Sequence, residues 1–252
     1  MHLDKYYTPP ELAEYIVYKT KEIIGENNIS EYIEPSAGSG VFLDYLPRGT
    51  LSYDIEPEKE NIIKQDYLKL DLDYKKGRCI IGNPPYGARN TLSVQFYKKS
   101  IQLGDYIAFI LPISQLHNNQ QMYEFDLIHS EDLGRQTYTD RKIHCCFNIY
   151  KRPDNGQLNK KPNYKLKDVK IFEYRRNERD VKNLPYDLRI CAYGASIGKE
   201  FCFIINNKNF KNVIITLIKN TKWKEIYPMT STPSLTQWQV YKYIKEQIPE
   251  IN

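Results

Sequence analysis

Residues 79–86 join an apolar segment to a rigid polar turn that is suited to holding an amino group. The sequence reads Cys-Ile-Ile-Gly-Asn-Pro-Pro-Tyr, so an amide precedes two prolines and an aromatic ring follows them. Proline has no N–H and fixes φ, which leaves the neighbouring carbonyl oxygens as acceptors without a competing donor. The Asn83 side-chain oxygen and the Pro84 carbonyl can therefore accept from one amino group, while Tyr86 offers a flat face to the ring that carries it. A simple turn without a ligand is the alternative interpretation.

A glycine turn with acidic residues downstream indicates a site for an adenosine-type cofactor. Residues 34–40 read Glu-Pro-Ser-Ala-Gly-Ser-Gly between a predicted strand and a predicted helix, where glycines let the backbone turn sharply and approach a ligand. Asp54, 20 residues after Glu34, ends the next predicted strand and can accept from both hydroxyls of a ribose. Asp66 can accept from an adenine amino group, and Tyr67 can cover its ring. Helix capping or solvation is the alternative for both aspartates.

Strands alternating with helices are predicted to position these two motifs. A helix over Glu11–Ile24 follows Pro9 and Pro10, which a helix tolerates at its start. The alternation of apolar and amphipathic segments is typical of an α/β fold with a doubly wound, mostly parallel sheet. The predicted strands are Glu31–Glu34, Leu51–Ile55, Cys79–Gly82 and Tyr106–Leu111, with Arg135–Tyr138 and Ile143–Tyr150 closing the sheet as a hairpin. The predicted helices between them are Val41–Leu46, Glu58–Lys64, Leu92–Leu103 and one that begins at about Gln120.

The two parts of the chain differ in charge, which predicts two domains. Residues 1–150 carry 16 Lys plus Arg and 21 Asp plus Glu, whereas residues 151–252 carry 20 and 10. Segment 151–163 is rich in Pro, Asn, Gly and Lys, the composition of a linker. We predict a catalytic domain at 1–152, a linker at 153–163 and a small basic α+β domain at 164–252. The positive charge favours nucleic acid as the partner of that last domain, with a solvated basic surface as the alternative.

The basic domain has three predicted strands and a final helix. The strands are Val169–Tyr174, Leu188–Ala192 and Phe201–Ile205, and the helix is Leu235–Gln247. The segment Val213–Ile218 fits a helix or a strand equally well. Lysines and arginines are dense between residues 165 and 189, and Lys199 follows a run of small residues that would allow a close approach to a phosphate backbone.

Several other classes of protein lack their characteristic residues in this sequence. The longest apolar run, Tyr106–Ile113, is much shorter than the roughly 20 residues of a membrane-spanning helix. The N-terminus has no apolar signal segment, so we expect a cytosolic protein with no membrane partner. Five cysteines without a C-x-x-C pair predict buried, reduced thiols and no metal site. His117 and His144 have no acidic partner at a useful spacing, which predicts structural or surface roles for both.

The motifs EPSAGSG, QDY and NPPY, together with the strand-end Asp54, resemble those of the S-adenosylmethionine-dependent amino-methyltransferases. They are most similar to the DNA adenine-N6 methyltransferases whose recognition domain is C-terminal, and the resemblance covers roughly residues 6–150. It implies a class I methyltransferase fold, which is a Rossmann-like seven-stranded sheet, and S-adenosyl-L-methionine as the cofactor. It also implies double-stranded DNA as substrate, with the target adenine flipped out. A restriction endonuclease partner in the same system is compatible with this resemblance, and the sequence leaves its existence open.

The resemblance and the basic domain together assign residues to the site. Catalytic roles fall to Asn83, Pro84, Pro85 and Tyr86. The implied cofactor-binding residues are Tyr7, Thr8, Pro9, Glu34, Ser36, Ala37, Gly38, Gly40, Asp54, Ile55, Asp66, Tyr67 and Asn83. Substrate binding is assigned to Tyr86 and Phe147 around the flipped base, and to Arg175, Arg176 and Lys199 in the basic domain.

The same turn would also serve an adenine in RNA or the side-chain amide of a protein glutamine, since each presents a planar, amide-like nitrogen. Glutamine methyltransferases with a similar site usually carry their extra domain before the catalytic one, whereas here the extra residues follow it. A binding module with a degenerate methyltransferase fold would require damaged motifs, and these motifs are intact. The prediction is therefore methyl transfer to adenine N6 in DNA.

Overall fold

The structure, a computed structural model, describes residues 7–138, 141–175, 185–191, 199–227 and 235–251. The chain divides into two compact units, Met1–Pro162 and Asn163–Asn252. Residues 153–162, predicted as a linker, lie within the first unit. The Asn159 backbone N–H donates to the Glu124 carbonyl at 2.9 Å, and the Asn159 side chain donates to Asp126 at 2.8 Å. The first unit thus extends past residue 152, where the predicted catalytic domain ends.

A seven-stranded sheet forms the first unit, with the strand order β3-β2-β1-β4-β5-β7-β6. The first five strands along the chain pair in parallel, and β7 runs antiparallel to both β5 and β6. The strands are β1 Glu31–Glu34, β2 Leu51–Asp54, β3 Ile63–Lys64, β4 Arg78–Gly82, β5 Tyr106–Pro112, β6 Asp126–Tyr138 and β7 Arg141–Lys151. The predicted mostly parallel, seven-stranded sheet with a closing hairpin is confirmed.

Apolar side chains cover both faces of this sheet. Successive residues of a strand face opposite sides. In β5, Ile107 and Phe109 therefore pack in the core that contains α2 (Thr91–Leu103), whereas Ala108 and Ile110 pack in the core that contains α1 (Pro10–Ile24). Burial on both faces explains the continuous apolar sequence of β4 and β5. The carboxyl ends of the parallel strands form the edge at which ligands bind in such sheets.

Three of the predicted helices are wrong. Val41–Leu46 contains only the 3₁₀ turn Phe42–Asp44, Glu58–Lys64 is a turn that leads into β3, and the segment after Gln120 is a turn that precedes β6. Their apolar residues are nevertheless buried. Phe42 packs in the core beside α1, and Met122 packs in the core beside α2. Tertiary burial in short loops has overridden a local pattern that resembles a helix.

The second unit is a three-stranded antiparallel sheet backed by helices. Its strand order is β8-β10-β9, with β8 Val169–Arg175, β9 Leu188–Cys191 and β10 Lys199–Ile205. The helices are α3 Lys208–Asn220, α4 Trp223–Ile226 and α5 Gln237–Gln247. The segment whose type the sequence left open is helical, since Ile214 and Ile218, four residues apart, are both buried in the core of this unit.

One cysteine departs from the expectation of buried thiols. Cys79, Cys145, Cys146 and Cys202 are buried, but Cys191 is exposed. Cys191 and Cys202 lie on the same face of the sheet, but Cys191 is on the edge strand β9, whereas Cys202 is on the central strand β10 between two neighbours. Across the described ranges, no helix is both long and apolar enough to cross a membrane.

Candidate functional site

The predicted cofactor and catalytic motifs meet in one cavity of about 260 Å³ beside the carboxyl ends of β1, β2 and β4. Most of the residues that the sequence assigned to cofactor binding or catalysis line it. They are Tyr7, Thr8, Glu34, Ser36, Ala37, Gly38, Asp54, Ile55, Asp66, Tyr67, Asn83, Pro84, Pro85 and Tyr86. Parallel strands end at the same edge of a sheet, so motifs far apart in sequence are brought together there.

The glycine turn is shaped by left-handed backbone and by one carboxylate. Gly38 has φ +52° and Gly40 has φ +74°, values that glycine adopts at little cost. The Gly38 N–H donates to Asp54 Oδ2 at 2.7 Å, and the Glu56 N–H donates to Asp54 Oδ1 at 2.8 Å. Asp54 thus fixes the turn. Each of its oxygens keeps a further lone pair for a ligand hydroxyl.

Glu34, at the end of β1, is a buried acid without a full set of partners. Its side chain is almost completely buried, and Oε2 has no hydrogen-bond partner in the described part of the chain. Burial, and then the nearby charge of Asp54, raise the pKa of Glu34 well above its ordinary value. A cationic or hydrogen-donating group bound in the cavity would supply what this carboxyl lacks.

Asn83 lines the cavity and carries an unpartnered acceptor. Its Nδ2 donates to Thr8 Oγ1 at 3.2 Å, and its Oδ1 is buried with no partner among the described residues. The Ser36 hydroxyl donates to the Asn83 carbonyl at 3.4 Å, which ties the glycine turn to the catalytic turn. Because an unpaired buried acceptor is costly, Oδ1 is suited to a donor that arrives with a ligand.

Tyr86 is anchored at both ends. Its hydroxyl lies 3.4 Å from Cys145 Sγ on β7, and its carbonyl accepts from the Leu92 N–H at 3.1 Å at the start of α2. Burial raises the pKa of Tyr86 well above its ordinary value, so the hydroxyl stays neutral. The ring is therefore a fixed wall of the cavity and not a base.

Asp66 and Tyr67, which were predicted to bind the adenine of the cofactor, make other contacts than the predicted ones. Asp66 caps a short 3₁₀ turn, accepting from the Leu68 N–H at 3.0 Å, which was the alternative interpretation of this residue. Tyr67 is fully buried, with its hydroxyl 2.9 Å from Ser100 Oγ and its ring stacked on Phe96 at 5.3 Å. Both residues line the cavity, but Tyr67 contributes from within the core and is not a free cover for a ring.

Two apolar wall residues were missed by the sequence analysis. Leu92 and Phe96 line the cavity from α2. They are four residues apart, which places them on one face of the helix. That spacing was visible in the sequence, but nothing local indicated that this face points at the cofactor turn.

Several predicted site residues lie elsewhere. Phe147 is fully buried in the core beside α1 and does not line the cavity, because its register in β7 turns it towards that face. Pro9 and Gly40 do not line the cavity either. Pro9 precedes α1, and a Cβ on Gly40 would lie 3.1 Å from Lys59 Cδ.

The basic residues assigned to substrate binding lie in the second unit. Arg176 is outside the described residues. Only the backbone of Arg175 and Lys199 is described, and these two residues pair at the ends of β8 and β10.

One expectation about histidines is wrong. His144 Nε2 lies 2.7 Å from Asp132 Oδ1, so it does have an acidic partner. The two residues lie on the β6–β7 hairpin, where a register irregularity between Asp132 and Gly134 brings them together. This pair does not line the cavity. The residues that the structure describes contain no group of three His, Cys, Asp or Glu side chains that could hold a metal ion.

The cavity fits S-adenosyl-L-methionine, the cofactor expected from the sequence. Asp54 beside the glycine turn suits the ribose hydroxyls, and the unpartnered Glu34 oxygen suits a cationic group. Ile55, Leu92 and Phe96 give apolar walls for a purine ring. Burial of an adenosine among these groups would satisfy polar atoms that are otherwise costly.

Comparison with known proteins finds similarity over part of the chain. No family model matches it. It is 29% identical over 107 residues to the Type II methyltransferase M.HincII of Haemophilus influenzae, and equally so to the Type II methyltransferase M.HindII of strain Rd of that organism. The alignments cover 40% of this chain, and the chain spans about a fifth of the length of those relatives (20%). Among solved structures, the 23S rRNA methyltransferase ErmE gives a TM-score of 0.44 at 13% identity, over 60% of this chain and 70% of that one.

Proposed function

We propose that this protein transfers a methyl group from S-adenosyl-L-methionine to the exocyclic N6 of a flipped-out adenine in double-stranded DNA. The observation that carries the proposal is the unpartnered Oδ1 of Asn83, a residue that lines the same cavity as the glycine turn and Asp54. An amine acceptor and an adenosine-type site therefore share one enclosure. Methyl transfer to an amine requires the two ligands to lie side by side.

The residues of the catalytic turn would activate the amine. An exocyclic adenine nitrogen is a poor nucleophile because its lone pair is delocalised into the ring. Hydrogen bonds from its two N–H groups to Asn83 Oδ1 and the Pro84 carbonyl would draw the nitrogen towards tetrahedral geometry and localise that pair. The cofactor supplies an already activated methyl group, so alignment matters more than a strong base.

Tyr86 is assigned to the target base. The Cys145 contact holds its hydroxyl and the Leu92 N–H holds its backbone carbonyl, so the ring would offer a flat face at low entropic cost. The target nitrogen is inaccessible inside a duplex, so the adenine must leave the stack to reach this face. Phe147, buried in the core, is not assigned to this role.

One observation supports DNA as the substrate, and a second supports nucleic acid over protein. The curated relatives of matching sequence are named as Type II methyltransferases, although they match only part of the chain. Residues 163–252 carry 16 Lys plus Arg against 9 Asp plus Glu, a surplus of seven that suits a polyanion. An associated restriction endonuclease stays a prediction.

The proposal is tested by incubating the purified full chain with methyl-labelled S-adenosyl-L-methionine and, separately, duplex DNA, RNA and protein. Mass spectrometry of the digested products identifies the modified atom. We expect N6-methyl-2′-deoxyadenosine from the DNA arm. Label confined to RNA adenine or to protein glutamine would replace the DNA proposal with that alternative, and label in none of the three would overturn methyl transfer.

A further inference from the structure

The sheet of the second unit has one face that its helices do not cover. Val169, Ile171, Phe201 and Phe203 face the helices and form the core of that unit. The residues between them face the other way, because side chains alternate along a strand. We call this second face the open sheet face, and it comprises Lys170, Phe172 and Tyr174 of β8, Arg189 and Cys191 of β9, and Glu200, Cys202 and Ile204 of β10.

Aromatic rings on this surface are exposed to solvent. Phe172 is 38% exposed, and its ring centroid lies 6.4 Å from that of Tyr174, two residues along the same strand. Tyr186, just before β9, is 41% exposed and lies 6.0 Å from the guanidinium of Arg189. Phe172 is thus an exposed ring next to the half-buried ring of Tyr174, an arrangement that suits a partner with a flat face.

The charges around these rings are positive. Lys170 is exposed at one end of β8, and Arg189 lies across β10 from Phe172. The carboxylate on the open sheet face, Glu200, is buried and has its Oε2 3.4 Å from Arg189 Nε, so these two charges offset each other and Lys170 gives the face its net positive charge. The surface thus combines stacking rings with cations, in a unit that has a surplus of positive charge.

We infer that the open sheet face binds an unpaired stretch of nucleic acid, with bases stacked on Phe172 and Tyr174 and phosphates near Lys170 and Arg189. Every base has a flat face, but a paired and stacked base hides it, so exposed rings on a flat sheet select single-stranded segments. The inference rests on the proposed nucleic-acid substrate and adds to it the form of strand that the second unit holds.

The test measures the affinity of the full chain for a single-stranded DNA oligonucleotide and for the same sequence as a duplex. We expect wild type to prefer the single strand. Phe172→Ala should lose about ten-fold or more in single-strand affinity, since stacking on one aromatic contributes that much per base. Tyr18→Ala removes a more accessible ring, 63% exposed on α1, and should leave affinity unchanged. Circular dichroism confirms that each variant is folded.

Two lysine substitutions, compared with each other, give a second measurement. Lys170→Gln and Lys219→Gln each remove one exposed lysine, but Lys219 is on α3, in the layer that covers the opposite face. Only Lys170→Gln should reduce the slope of log affinity against log salt, by about 0.7 for one single-strand phosphate. Equal effects of the two substitutions would mean a diffuse basic surface and would overturn the inference.

Other outcomes overturn it as well. Duplex preference with an inert Phe172→Ala, or no binding of either oligonucleotide by wild type, would remove the open sheet face as a nucleic-acid site. A concentration-dependent dimer that Phe172→Ala disrupts, without any effect on oligonucleotide affinity, would assign the face to a second copy of the chain. Methylation of DNA by the wild-type protein is scored on the same preparation, so failure of the proposed activity and failure of this inference are read separately.

Discussion

Thr8 fixes the orientation of the Asn83 side-chain amide. Asn83 Nδ2 donates to Thr8 Oγ1 at 3.2 Å, and Asn83 Oδ1 is left buried without a partner within the described ranges. An amide carries its donors and its acceptor on opposite atoms, so a bond to Nδ2 determines what Oδ1 faces. Thr8 comes 75 positions before Asn83, and both residues line the cavity.

Thr8→Val keeps the shape of this side chain and removes its acceptor oxygen. We expect methyl transfer to slow by about five-fold, the loss of one neutral hydrogen bond of about 1 kcal/mol. Cofactor affinity should change less than the rate, and Thr8→Ser should restore both. Single-turnover rates and calorimetric titration with S-adenosyl-L-methionine measure the two effects. A loss confined to affinity would assign Thr8 to the cofactor instead.

Asp54→Ala should weaken cofactor binding by about 1.5 to 3 kcal/mol, since it removes a charged acceptor of ribose hydroxyls and releases the Gly38 and Glu56 N–H groups. Asp66→Ala is the matched control, because Asp66 accepts mainly from its own turn. Asp66→Ala should weaken cofactor binding less than Asp54→Ala does. Calorimetry of the two variants measures both affinities, and equal affinity of Asp54→Ala and wild type would move the ribose away from Asp54.

Glu34→Gln should stabilise the ligand-free protein in a pH-dependent way. The raised pKa of Glu34 means that the native state keeps a proton that the unfolded chain has lost, so wild-type stability falls as the pH rises above about 4.5. The amide that replaces the carboxyl in this variant does not ionise. At neutral pH the variant should therefore unfold at a higher temperature than wild type. Below about pH 4.5 the two proteins should unfold at the same temperature. Thermal unfolding measured across pH tests this, and a difference that does not vary with pH would contradict it.

Phe147→Ala should act on stability and not on the target base. Phe147 is fully buried in the core beside α1, and truncation of a buried Phe costs about 3 to 5 kcal/mol. Urea unfolding measures the loss. Folded Phe147→Ala at low temperature should bind substrate like wild type, whereas Tyr86→Ala should bind it more weakly. Weaker binding by Phe147→Ala with unchanged stability would restore the role that the sequence suggested.

The site was predictable where a motif is local. The glycine turn, Asp54 and the Asn83 turn each follow a strand, and a parallel sheet gathers such strand ends at one edge. Contacts between distant positions were not predictable. The bond between Thr8 and Asn83, the position of Phe96 in the wall and the pairing of His144 with Asp132 depend on tertiary packing or on a strand irregularity.

The fold, too, was predictable where the signal is local and not where it depends on tertiary packing. Strands with continuous apolar sequence were predicted well because both faces of the sheet are buried. Short segments such as Val41–Leu46 were not, since a single turn buries Phe42 without forming a full helix. The direction in which a strand residue points depends on the register of the strand. The sequence does not show the register of β7, so Phe147 was predicted to contact the flipped base although it is buried in the core beside α1.

Asn83→Ala tests the central claim most directly. The proposed function uses the Asn83 side chain for the substrate amine and not for the cofactor, to which the resemblance also assigned it, so the variant should bind S-adenosyl-L-methionine like wild type and lose about 10²-fold or more in methylation rate. Asn61→Ala, an exposed asparagine that does not line the cavity, is the matched control and should be fully active. The measurement is the rate of N6-methyladenine formation in duplex DNA at saturating cofactor. The account predicts retained cofactor affinity with turnover abolished, and near wild-type methylation by Asn83→Ala would contradict it.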